Sequence, residues 1–199
     1  MKAKLGLFDK GYRDPICTME EAKAKTAEMA KKMAETGVTL IRDIHGRIPF
    51  DKTKVKNVAI VCYTHAEYAL TSLSVMKQAF EDYGCNVRLM HRIDNFEDAE
   101  AIANSCDLIV YAGYINFHAP KGAPGFYGDE FWSLRHAFVY GKEKSIGISL
   151  GYPHIMYNFM DDAHTFVNAY SLSPEMQKAF VKGVFGDIPF VGKSPVELD

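Results

Sequence analysis

The feature that most constrains this chain is a regular alternation, from Asn57 onward, of short apolar runs with amphipathic stretches. Residues 58–63 are apolar throughout, and such a run reads as a strand buried on both faces. Ala66, Ala69, Leu70, Leu73 and Phe80 then recur at helical spacing, and Tyr83 and Gly84 mark a turn. The same unit repeats with a strand at 87–90 and a helix at 96–105 whose inner face is Ala99, Ile102 and Ala103. A third strand, 108–112, is followed by a glycine- and proline-marked loop, 116–128, and a helix through Phe131, Leu134, Ala137 and Phe138. Strand four is 146–150, a single helical turn is expected near Met156, and strand five is 166–170. A last helix starts at Ser173 and Pro174, a capping residue before a first-turn proline, and turns Met176, Ala179, Phe180 and Val184 inward.

Strands that alternate with helices pair in parallel through right-handed crossovers. The expected fold class is therefore α/β: a three-layer α/β/α sandwich with a mostly parallel, flavodoxin-like sheet of five to six strands. The expected strand order is 2-1-3-4-5, with the β-branched run 38–41 added at an edge. Before that run, residues 19–35 read as an amphipathic helix that places Ala22, Thr26, Met29, Ala30 and Met33 on its apolar face and stops at Gly37. One domain over 19–199 is expected, preceded by a connector over 1–18; no internal repeat divides it.

Composition narrows the function classes. The chain has 199 residues, 48% of them hydrophobic, enough for a sizeable core. With 23 basic against 25 acidic residues there is no electrostatic footprint for nucleic acid. No run reaches the roughly 18–20 apolar residues that span a bilayer, so no membrane partner is expected. The opening residues lack the apolar core of a signal peptide, which makes the cytoplasm the default location if the chain is complete. Cys17, Cys62, Cys85 and Cys106 are widely spaced and read as reduced thiols.

In an open α/β sheet, ligands meet the loops that leave the carboxyl ends of the strands. Here those loops carry the candidate substrate-binding residues Tyr63, His65 and Glu67, then Asn116 and His118, then Tyr152 and His154. No glycine-rich phosphate cradle follows strand one, so no nucleotide cofactor is expected, nor any other. His65, His118 and His154 converge at one edge without a paired ligand spacing, so a metal site is not expected, and a metal-assisted hydrolase built on them stays an alternative. Cys62 lies inside a strand and no serine elbow is present, which argues against a nucleophile. Glu67, Asp129, Glu130, Asp161 and Asp162 all lie near loops. Asp129 and Glu130 read as helix-starting charge, and Asp161 and Asp162 as solvation of a connection. Tyr12, Tyr63, Tyr114, Tyr127, Tyr152 and Tyr157 could form a wall on which a sugar stacks.

Two stretches carry a family resemblance. Residues 34–43, Ala-Glu-Thr-Gly-Val-Thr-Leu-Ile-Arg-Asp, followed by Gly46 and then Ile48, Pro49 and Phe50, resemble the opening of the C-terminal domain of glycoside hydrolase family 3. Residues 169–174, then Val184 to Gly186, then Gly192 to Leu198, are similar to its closing pattern. Lys4 to Phe8 and Tyr12 resemble the connector that precedes that domain. The match is to the β-N-acetylhexosaminidase-like branch, where a tyrosine loop follows strand four, as Gly151, Tyr152 and Pro153 do here. Gly37 replaces a usual serine, Ser194 a usual leucine, and His154 departs from the loop pattern. The resemblance implies a barrel domain, in cis or in trans, that carries the catalytic residues; none is carried by this chain, so the chain alone would be inactive. A homodimer and an amino-sugar ligand are further expectations, and a stand-alone module binding carbohydrate or a peptidoglycan fragment is the alternative from another class.

Overall fold

The computed structural model describes residues 17–115, 125–159 and 161–198. Its centre is a six-stranded sheet made of β1 (Thr39–Asp43), β2 (Asn57–Thr64), β3 (Asn86–His91), β4 (Leu108–Tyr114), β5 (Ser145–Ser149) and β6 (Thr165–Asn168). The order across the sheet is β1-β6-β5-β4-β2-β3. All neighbours are parallel except β1, which pairs antiparallel with β6 at the edge. This is the expected order with the expected added edge strand.

Strand parity divides the interior into two layers. Val58, Ile60 and Cys62 of β2 and Val110 and Ala112 of β4 face α2 (Glu67–Ser72), α3 (Ser74–Asp82) and α7 (Pro174–Val184), burying Leu73, Met76, Phe80 and Phe180. Ala59, Val61 and Tyr63, with Ile109 and Tyr111, face α4 (Phe96–Ser105), α5 (Asp129–Val139) and α6 (Ile155–Phe159) and bury Ile102, Leu134 and Phe138. Each of those large side chains contributes about 1.5–3 kcal/mol by leaving water. Between α5 and β5 the chain makes a 3₁₀ turn, Lys142–Lys144.

The helix expected after strand one is broken at Leu73 into α2 and α3. A break frees amide groups at the start of the second segment. One of them, on Met76, donates to Oε1 of the fully buried Gln177 at 3.0 Å, and Gln177 Nε2 donates to the Leu172 carbonyl at 2.8 Å.

Helix α1 (Met19–Gly37) departs from its expected packing. A capping box fixes its start, Thr18 and Glu21 each accepting the other's backbone N–H. Yet Thr26, Met29 and Met33 of the expected apolar face are exposed, the two methionines at 63% and 62%, and Ala34 is the buried residue. Its packing partner is α7, to which an ion pair from Glu35 to Lys182 ties its last turns, so its middle does not bear on the sheet. Ser173 occupies the capping position of α7, with Pro174 in the first turn, but its hydroxyl makes no capping bond.

Candidate functional site

The carboxyl ends of β2, β3, β4, β5 and β6 lie on one side of the sheet, and a cleft opens there at the ends of β2 and β3. At the end of β2 the Thr64 hydroxyl accepts from the Ala66 amide at 2.9 Å, a local turn that precedes α2 and leaves His65 at the tip. The His65 ring is 45% exposed and packs on Phe126. Its Nε2 lies 3.3 Å from the Gly125 carbonyl and 3.3 Å from Glu130 Oε2. Two oxygen acceptors facing one ring nitrogen suit the tautomer that carries its proton there. Glu130 comes from the first turn of α5, with a side chain only 20% exposed. Thr64, His65, Leu70, His91 and Glu130 line a cleft of 430 Å³. Glu130 is the one carboxylate lining it among the described residues.

Beside this cleft the hydroxyls of Tyr68, on α2, and Tyr114, at the end of β4, lie 2.9 Å apart with their rings edge to face. The loop after β5 closes against the loop after β4. The Ser149 hydroxyl donates to the Tyr152 carbonyl at 2.8 Å and accepts from the Gly151 amide. A Cβ on Gly151 would stand 2.9 Å from the Ile115 carbonyl oxygen, so only glycine permits this approach. The Tyr152 ring packs against His154, which in turn meets Tyr157. Two atoms behind this wall, His154 Nδ1 and Asn168 Oδ1, are buried without a hydrogen-bond partner in the described structure.

Of the residues singled out from the sequence, His65, Tyr152 and His154 stand on these strand-end loops. Tyr63 does not. It is 1% exposed and lies in the layer under α4 and α5, where its hydroxyl accepts from Ser133 at 3.3 Å. Burial pushes that phenol up to about 12. Glu67 is the first residue of α2, and its side chain is not described. Asn116 and His118 lie outside the described residues, as does Tyr12. His65 and His154 join no common metal-ligand group among the described residues.

Of the five residues that line the cleft only His65 is among the candidate binding residues; Thr64, Leu70, His91 and Glu130 are not. His91 is the last residue of β3, and its position at a strand's carboxyl end is the signal that could have found it. Glu130 does start a helix, as its charge suggests, and also faces His65. Asp161 and Asp162 hold an arginine: Arg135 Nη1 lies 3.0 Å from Asp161 and 2.5 Å from Asp162, and Lys142 reaches Asp162 at 3.2 Å. Burial works against the Asp162 charge, yet the bonds from Lys142 and Arg135 hold its carboxyl below the usual range.

No family model matches the sequence, and no curated protein matches it. Solved structures do. The chain is similar to a β-glucoside phosphorylase, BglX, at 21% identity with a TM-score of 0.70, over 98% of this chain and 36% of that one. A glycoside hydrolase family 3 β-N-acetylglucosaminidase from Paenibacillus sp. matches at 20% identity and a TM-score of 0.63, over 96% of this chain and 36% of that one. A β-glucosidase from Listeria innocua matches at 13% identity and a TM-score of 0.64, over 94% and 29%. This chain thus spans about a third of the length of these proteins, and what it shares with them is one fold, the α/β sandwich found within glycoside hydrolase family 3 enzymes.

Proposed function

We propose that this chain is the C-terminal α/β sandwich of a family 3 glycoside hydrolase system, one that walls the sugar site of a barrel domain and performs no hydrolysis alone. The observation that carries this reading is the asymmetry of coverage: nearly all of this chain is matched, by about a third of each enzyme. The crevice supports it chemically. Glycoside hydrolysis generally needs two carboxyl groups on either side of the scissile bond, about 5–5.5 Å apart in retaining enzymes or about 6.5–9.5 Å in inverting ones. The described cleft lining offers Glu130 alone, already engaged with His65. What the cleft does offer is an imidazole and a carboxylate, with tyrosines on the neighbouring strand-end loops, the kinds of group that hydrogen-bond and stack on a sugar.

Within this reading the amino-sugar branch is the favoured one, because the loop after β5 carries Tyr152 in the position the sequence resemblance assigns to that branch, and an N-acetylglucosaminidase is among the matched structures. The matched β-glucosidase and β-glucoside phosphorylase make the unsubstituted glucoside the competing substrate.

The test is turnover of 4-nitrophenyl N-acetyl-β-glucosaminide and 4-nitrophenyl β-glucoside by the purified chain, alone and mixed with the barrel protein encoded in the same reading frame or its neighbour. No turnover alone and turnover with the barrel is the expected result. In the active assembly, His65→Ala should raise KM about tenfold, the loss of one hydrogen bond to substrate of about 1.4 kcal/mol. Turnover by the isolated chain refutes the reading. Saturable amino-sugar binding with no barrel encoded nearby would instead make the chain a stand-alone binding module.

A further inference from the structure

At the opposite end of the sheet from the crevice, three side chains from separate segments converge. His45 follows β1, Glu143 belongs to the 3₁₀ turn before β5, and His164 immediately precedes β6. Their candidate ligand atoms, one from each, all lie within 4.8 Å of one another. A single carboxylate oxygen, Glu143 Oε1, is 3.3 Å from His164 Nδ1 and 3.7 Å from His45 Nε2. The two imidazole rings meet edge to face with centroids 4.9 Å apart.

The backbone holds this arrangement in place. Asp43 pairs with Thr165 in the antiparallel β1/β6 ladder, and the Ile44 amide continues the pairing to the His164 carbonyl at 3.0 Å. The Asp43 carboxylate then accepts from the amides of Arg47 and Ile48 and from the Thr165 hydroxyl, which fixes the turn that carries His45. Such support reduces the ordering that a bound ion would have to impose.

The decisive detail is His164 Nδ1. It is buried and has no hydrogen-bond partner among the described residues, although a carboxylate oxygen is 3.3 Å away. The two atoms are close but not aligned for a hydrogen bond, so a buried ring nitrogen is left without the partner that a bound cation would supply. Zinc bonds of about 2.0–2.1 Å in tetrahedral geometry put ligand atoms about 3.4 Å apart, close to the two separations here. Two imidazole nitrogens and one carboxylate oxygen are a donor set for zinc-class ions, whereas calcium and magnesium take oxygen.

We propose that His45, Glu143 and His164 bind one zinc-class divalent cation, with water completing its coordination, and that this ion clips the edge strand β1 to the starts of β5 and β6. Arg47 pairs with the other oxygen of Glu143, so it orients the carboxylate and its charge opposes the cation. The site is independent of the sugar crevice and of the function proposed for it.

The test is titration of the metal-stripped full chain with Zn²⁺ by calorimetry, and with Co²⁺ by visible absorption. One saturable equivalent and the absorption of a four- or five-coordinate cobalt ion are expected. His45→Ala, in an exposed turn where it leaves the core intact, should weaken binding at least tenfold, as should His164→Ala, and both should abolish the cobalt signal. Arg47→Ala should tighten binding several-fold by removing the competing charge. A chain lacking His65, His118 and His154 should bind as the parent does. Absence of a saturable equivalent overturns the proposal. So does binding unchanged by His45→Ala, or lost with the three crevice histidines.

Discussion

Gln177 offers the sharpest test of how the sandwich is held together. It is fully buried, and it closes two backbone gaps at once: the Met76 amide freed by the break between α2 and α3, and the Leu172 carbonyl just before α7. Gln177→Met keeps the length and volume of the side chain, so the cavity cost is small. What changes is that a buried amide is left unpaired, at about 1–3 kcal/mol, and a part-buried carbonyl loses a neutral bond of about 0.5–1.5 kcal/mol. The total, about 2–4 kcal/mol, should lower the melting temperature by about 5–15 °C for a chain of this length. Thermal melts followed by circular dichroism read the shift, and urea unfolding should show a lower midpoint with an unchanged slope. Gln78→Met is the control, because among the described residues the Gln78 side chain bonds to Asp82 alone, on the exposed face of α3, and its loss should change the melting temperature by less than about 2 °C. If Gln177→Met melts within about 2 °C of the parent, the glutamine is not what satisfies the helix break, and the reasoning fails.

Three further perturbations probe other parts of the structure. Gly151→Ala places a methyl against the Ile115 carbonyl and should cost about 1–3 kcal/mol while separating the loops after β4 and β5; an unchanged melting temperature would show that this approach is not needed. With Ellman's reagent at pH 8, Cys17 should react quickly, while Cys62, whose thiol burial pushes up to about 12, and the buried Cys85 and Cys106 should react only on unfolding; two or more fast thiols in the native chain would contradict the packing. Asp107 accepts from the amides of Asn57 and Lys56, which hold its carboxyl below the ordinary value. A depressed carboxylate stabilises the fold above its unfolded value of about 3.9 and loses that contribution as pH falls through the lower folded one. Asp107→Asn should therefore be less stable than the parent at pH 7, and the gap should close below about pH 4; a gap that is constant with pH would refute the assignment.

The strand order is legible because strands buried on both faces leave continuous apolar runs, and short crossovers leave few ways to connect them. The edge strand is legible for a related reason: the run containing Thr39, Leu40 and Ile41 precedes the first crossover unit and has only an edge to join. Helix α1 shows where such reading stops. Its periodicity gives Met29 and Met33 a common side, but periodicity cannot tell whether that side meets another element, and here Ala34 and Glu35 make the contact instead. The break at Leu73 is likewise silent in a helix-spaced sequence, and its partner, Gln177, is 101 residues from Met76.

The crevice was legible as a place more than as a set of side chains. Topology puts the residues after β2, β4 and β5 at one edge of the sheet, and His65, Tyr152 and His154 stand on loops there, but of the three only His65 lines the cleft. Tyr63 misleads because β2 is apolar on both sides: parity puts it with Ala59 and Val61, but nothing in the run says which of the two layers holds the tyrosine. Glu130 misleads in the opposite direction. Two acidic residues at a helix start have a sufficient local explanation in the helix dipole, so a second role gains no signal from the sequence. That role exists because α5 brings its first turn to the end of β2, a meeting of residues 65 and 130 that no local spacing records. The group at the other end of the sheet has the same origin. His45, Glu143 and His164 are scattered along the chain and become neighbours because β1 runs antiparallel to β6 and ends where β5 and β6 begin. In this fold the chemistry is set by which strand ends share an edge, so the residues hardest to find from spacing are those that the sheet alone brings together.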